Sequence, residues 1–143
     1  MLHKITKKQA LTTMLGLLTA VIIFHIFILA GIVPYEIVWA GKLQSVQEMY
    51  VFEAISISIN AILITVLLLK GNFIKLSVPA KLLDGVLWFF VAVFALNTVG
   101  NLMAETLFEK AFFTPLTFLS AVLIWIIVRK NPDGKQPVQT KAY

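Results

Sequence analysis

Four apolar runs, each about as long as a bilayer's hydrocarbon core is thick, constrain this chain more than any other feature. A helix rises about 1.5 Å per residue and the core is about 30 Å deep, so roughly 20 apolar residues are needed to cross it. The runs cover about residues 9–33, 48–69, 81–104 and 111–128. Of the 143 residues, 59% are hydrophobic and only 13% charged, with a mean hydropathy of +0.91. Ordinary globular chains carry about 25% charged residues, so this composition cannot make a water-soluble coat. The predicted fold is an all-α membrane protein, a four-transmembrane-helix bundle with lipid as its main solvent. Short loops between the runs predict an up-down-up-down order.

The first run follows "HKITKK" and is too long for the h-region of a cleaved signal, about 7 to 15 residues, so it is expected to stay as a membrane anchor. Orientation follows from lysine and arginine in the short loops, because basic residues are retained in the cytoplasm. Lys4, Lys7 and Lys8 precede the first run; Lys70, Lys75 and Lys81 fill the second loop; Arg129, Lys130, Lys135 and Lys141 follow the fourth run. Lys42 and Lys110 alone lie in the other loops. Both termini are therefore expected in the cytoplasm, N-in and C-in, in a multi-pass protein of the cytoplasmic (inner) membrane. The tail, residues 131–143, is polar and rich in proline and glycine, and is expected to be disordered.

The first and third loops carry Glu36, Glu48, Glu105 and Glu109 together with Tyr35, Trp39, Tyr50 and Phe108. Aromatic residues at headgroup depth ordinarily anchor a protein at the interface, which is the expected role of Tyr35 and Trp39. The net charge of +5 comes from short clusters rather than a basic stripe, which argues against nucleic acid as a partner. With no cysteine, disulfides, thiolate metal sites and membrane thiol chemistry are excluded.

Polar residues inside the runs are the candidates for function, since an ionisable group there costs roughly 2.5 to 3.5 kcal/mol on insertion scales and usually faces a bundle interior or wet cavity. Glu53, Ser56 and Asn60 fall on one face of the second helix, and Asn97, Asn101 and Glu105 on one face of the third. His25 lies on the first. Counted from the outward ends at about 1.5 Å per residue, Asn101 lies about 5 Å deep, Glu53 about 7 Å, Asn97 about 10 Å and His25 about 12 Å. The fourth run adds Thr114, Thr117 and Ser120. If the first three helices turn these faces inward, they line an outward-facing polar pocket of His25, Glu53, Ser56, Asn60, Asn97 and Asn101, with Glu36, Trp39 and Glu105 at its mouth.

Asn, Ser and Thr also serve as hydrogen-bonding glue between membrane helices, and that reading stands equally for the three asparagines. A buried Glu or His has no such packing role. The two can relay protons, since histidine titrates near neutrality in water and desolvation raises a carboxylate towards that range. No HxxxH or HxxE spacing supports a metal, and a second membrane-embedded histidine for haem is missing, so no metal and no cofactor is expected. Neither GxSxG, HExxH nor a phosphate-cradling glycine loop is present, which leaves an enzyme only the less favoured option of Glu53 and His25 as acid and base. Asp84 follows Lys81 by three residues, spacing for an interfacial pair on one helix.

The stretch "GIVPYEIVWAGKL" after the first run and "NLMAETLFEKAFFTP" between the third and fourth, with Asn101, Glu105, Glu109 and Pro115, resemble an uncharacterised family of small bacterial four-transmembrane-helix integral membrane proteins. The resemblance spans nearly the whole chain and implies a bacterial four-helix membrane protein, with no activity attached. The leading expectation is a transporter-like protein that binds or conducts a small polar solute, cation or proton through the pocket. An acidic rim would favour cations, and four helices enclose so little volume that a transport path would need a homo-oligomer. The alternative is an accessory or assembly protein whose polar faces contact a partner membrane protein.

Overall fold

The computed structural model describes residues 5–39 and 42–129. The tail expected over residues 131–143 lies outside them. Four long helices account for most of the described chain: α1 (Lys7–Leu29), α2 (Val46–Lys70), α3 (Ala80–Leu102) and α4 (Thr114–Val128), the last continuing directly from a π-helical segment, Glu109–Phe113. Among the described residues there is no strand. Each helix, with the π segment counted into the fourth, is long and apolar enough to cross a membrane, at 23, 25, 23 and 20 residues.

The helix ends are written in the local sequence. Thr6 caps α1 by accepting from the Gln9 N–H at 3.2 Å, while the Gln9 side chain accepts from the Thr6 N–H at 3.0 Å, so two otherwise unpaired donors are satisfied reciprocally. Ser45 caps α2 by accepting from the Glu48 N–H at 3.2 Å, and the Glu48 carboxylate accepts from the Gln44 N–H at 2.9 Å. Helices α1 and α2 stop through one device. Gly31, at φ 71°, and Asn72, at φ 57°, adopt the left-handed conformation, and the following amides, Ile32 and Phe73, fold back onto the carbonyls of Phe27 and Leu68 at 2.9 Å. Glycine and asparagine are the residues that tolerate this backbone best.

The fourth helix begins earlier than its apolar run suggests. Pro115 brings no N–H to its first turns, and just before it the Thr114 amide reaches five residues back to the Glu109 carbonyl, widening the helix by one residue. The wide turn draws Glu109 out of the third loop into the helical stack, where it is buried.

Side chains tie neighbouring helix ends together. His25 near the end of α1 meets Glu53 near the start of α2; Lys70 at the end of α2 meets Asp84 at the start of α3; Thr98 and Asn101 near the end of α3 meet Thr117 near the start of α4. The Lys7 ammonium donates to the Arg129 carbonyl at 2.5 Å, joining the start of α1 to the end of α4. The Lys81–Asp84 pairing expected from spacing does not form, because Asp84 takes Lys70 instead. Lysine ahead of an acid is the weaker order within one helix, whereas Lys70 sits at the negative end of the α2 dipole, which favours a cation there.

Packing is uneven along the bundle. One end is filled by a cluster from all four helices, including Met14 and Leu18, Leu63 and Leu67, Leu87 and Phe90, and Ile124 and Ile127. Between helices in lipid there is little hydrophobic driving force, so close van der Waals contact of this kind is what holds them. At the other end a smaller cluster of Ile28, Val38 and Met49 fastens the loop after α1 onto α1 and α2. Between the two clusters the helices enclose a void.

Candidate functional site

Among the described residues Glu53 is the most deeply buried charged side chain, with 0% of its surface exposed. Its carboxylate is shared between two partners: Oε2 lies 2.5 Å from Nδ1 of His25, and Oε1 accepts from the indole N–H of Trp39 at 2.8 Å. A buried carboxylate is tolerable only when charge and lone pairs are met, and here both oxygens are. With Glu53 ionised it can only accept, so His25 Nδ1 must carry the proton. The other ring nitrogen, Nε2, has no hydrogen-bond partner among the described residues.

Trp39 reaches Glu53 because the loop after α1 folds back. Pro34 leads into a 3-10 turn, Tyr35–Ile37, after which Val38 is buried and Trp39 takes φ 55°. That backbone costs a residue with a Cβ of order 1–3 kcal/mol, and it persists only where the surroundings hold it. The bond to Glu53 and the ring contact with Phe52, centroids 5.0 Å apart, provide the hold. Trp39 thus points into the bundle, in contrast to the interfacial anchoring expected of it.

Beside this group lies a cavity of about 470 Å³, within the usual range for small-molecule pockets. His25 and Trp39 line it, whereas Glu53 stands behind them and reaches it only through their rings. Ser56, Asn60, Asn97 and Asn101 line it as well, so the faces of α2 and α3 named from spacing look onto one space. The mouth residues separate: Trp39 is in the wall, while Glu36 and Glu105 are exposed and do not line the cavity. Most of the remaining wall is aliphatic or aromatic, with Phe24, Phe52, Phe90, Phe94 and Phe113 around it. The space is amphipathic rather than polar.

Sequence reasoning placed three further polar residues less well. Glu109, expected in the outward loop, is 5% exposed, lines the cavity and accepts from the Thr106 hydroxyl at 2.7 Å. Thr117 and Ser120 bring the fourth helix into a wall expected from the first three. Thr117 accepts from Thr98 at 3.0 Å and, weakly, from Asn101 at 3.4 Å. Pro115 a few residues after Glu109 was the one available signal for the π turn, since proline early in a helix removes donors that the chain must compensate.

Chemically, the arrangement resembles an orienting acid behind a histidine. The carboxylate fixes the ring and its tautomer, and leaves Nε2 as the nitrogen able to accept a proton or hydrogen bond from a bound molecule. No group of three or more His, Asp or Glu side chains that could hold a metal occurs among the described residues. No protein-family model, curated protein or solved structure matches this chain.

Proposed function

We propose that this chain is a multi-pass protein of the bacterial inner membrane that binds a small molecule inside its bundle, with Glu53 orienting His25 to meet the ligand's hydrogen-bonding or proton-bearing group. The observation that carries the reading is the wholly enclosed Glu53, bonded to two rings that both face a cavity of ligand size. An isolated structural ion pair would have no need of an adjoining void lined from four helices. The positive-inside pattern supports cytoplasmic termini, an orientation in which the cavity lies in the outer half of an up-down-up-down bundle. The bonds between successive helix ends support that order.

Binding is favoured over conduction because, among the described residues, a leucine and isoleucine cluster from all four helices fills the inner half of the bundle. The test uses the absence of native cysteine. Ser56→Cys, on the cavity wall, should be modified by N-ethylmaleimide in protein purified without partners, while Leu67→Cys, in the packed cluster, stays protected. Protection of both would count against an accessible pocket and favour the rival in which these polar faces contact a partner membrane protein.

A further inference from the structure

Most hydroxyl side chains on these helices bond within their own helix. Thr12, Thr19, Ser58, Thr65, Thr117 and Ser120 each donate to the carbonyl four residues back, at 2.8 to 3.0 Å, so each hydroxyl proton is satisfied within its own helix. This is how a hydroxyl is made harmless in lipid. Thr13 and Thr114, which do not line the cavity, depart from the pattern, and so do Ser56 and Asn97. The Ser56 hydroxyl and the whole Asn97 carboxamide make no hydrogen bond among the described residues, and both line the cavity. Beside them Asn60 donates to the Ser56 carbonyl at 2.8 Å and Asn101 to Thr117, which leaves both of their side-chain carbonyls without a donor. An unpaired carboxamide or hydroxyl at membrane depth is costly, so four open polar groups on the facing walls of α2 and α3 need an explanation.

The same two helices leave a gap. Near the Lys70–Asp84 link, Leu63, Val66 and Leu67 of α2 share one cluster with Leu83, Leu87 and Phe90 of α3. Towards the other end the two part company, α2 being bound to α1 through Glu53 and α3 to α4 through Thr98 and Asn101. Ile55 and Ile59 line the cavity and yet are 51% and 44% exposed, and Asn97 is also exposed. Exposed wall residues thus sit on α2 and α3, while the loop carrying Val38 and Trp39 packs over α1 and α2 at the outer end.

We infer that the ligand is a lipophilic molecule with an uncharged head that both donates and accepts hydrogen bonds, and that it reaches the cavity from the membrane between α2 and α3. Its head meets His25, Ser56 and Asn60 from one side and Asn97 and Asn101 from the other, and its apolar body lies against the phenylalanines. The open groups are neutral dipoles, and both buried carboxylates are already engaged, Glu53 by His25 and Trp39 and Glu109, in the cavity wall, by the Thr106 hydroxyl. A charged head would leave water for four neutral dipoles, which is unfavourable. This deepens the binding role proposed above and rests on it.

The test uses the full chain in phosphatidylcholine vesicles, with Trp88→Phe and Trp125→Phe so that Trp39, on the cavity wall, is the sole indole. Three brominated quenchers are compared: 9,10-dibromostearoyl glycerol, 9,10-dibromostearate and a 9,10-dibromooctadecyl trimethylammonium salt. The glyceride is expected to quench Trp39 saturably and the two charged amphiphiles only in proportion to their concentration. Asn97→Ala and Ser56→Ala should each weaken the saturable phase about fivefold, the effect of one uncharged hydrogen bond. Saturable quenching by a charged amphiphile at equal or lower concentration, or glyceride quenching that both variants leave unchanged, would overturn the assignment of the head. A modified Ser56→Cys alongside either result leaves the pocket standing and removes only this ligand class; a protected Ser56→Cys removes both.

Discussion

The two ends of the bundle hold their helices together by opposite means. At one end, aliphatic side chains from all four helices fill the space, and the ion pair there, Lys70 with Asp84, sits at the rim with side chains 24% and 39% exposed. At the other, a void replaces the packed interior and the acidic member of the pair is fully enclosed. A pair at the rim is reached by water and headgroups and can be lost cheaply. Glu53 has no water to fall back on, so His25 and Trp39 are conditions of its presence. The same two residue classes, an acid and a base linking successive helices, therefore report an interfacial fastening in one place and a built site in the other.

The widest separation between the ends should appear on removing the enclosed acid. Glu53→Leu deprives the Trp39 N–H and His25 Nδ1 of their acceptor, and breaking such a pair typically costs about 3–5 kcal/mol. Thermal or denaturant unfolding in detergent measures it, and a cost no greater than that of a lipid-facing change such as Leu96→Ala would erase the contrast. Next in size, Leu87→Ala in the packed cluster should cost about 2–5 kcal/mol by leaving a hole. Val93→Ala, on the cavity wall, should cost clearly less, because the methyl groups it removes already face a void. Equal costs would mean that the two ends are packed alike.

Trp39→Phe is expected in the middle, at about 1–3 kcal/mol, since it keeps an aromatic ring but leaves Oε1 of Glu53 without its donor. Lys70→Met should have the smallest effect, about 0–1 kcal/mol, as for exposed ion pairs elsewhere. If Lys70→Met proved as damaging as Trp39→Phe, the rim pair would have to be counted as structural too.

Much of the architecture can be read from the sequence, because a helix in lipid needs an unbroken apolar run and little else satisfies its backbone. Spacing also brings Ser56, Asn60, Asn97 and Asn101 onto faces that meet, since helical periodicity fixes which residues share a side. What spacing cannot give is where a loop goes. Trp39 belongs to a segment whose 3-10 turn and left-handed residue direct it inward, and neither leaves a periodic trace. Glu109 was hidden by a single inserted helical residue. Asp84 chose a partner on another helix over one three residues away, a competition settled by the meeting of α2 and α3. The glutamates at positions 36 and 105 show the limit from the other side: their residue type suits a pocket mouth, yet neither lines the cavity.

The central claim, that Glu53 holds His25 so that Nε2 is offered to the cavity, is tested most directly by nitrogen-15 NMR of the imidazole in the full chain carrying His3→Gln, which leaves one histidine. With the ring neutral, the proton is expected on Nδ1 and Nε2 should be bare. In Glu53→Gln the pattern should reverse, because Trp39 can only donate and must take the carboxamide oxygen, turning the carboxamide N–H towards Nδ1 and moving the ring proton to Nε2. A native ring protonated at Nε2, or an identical pattern in both proteins, would contradict the claim.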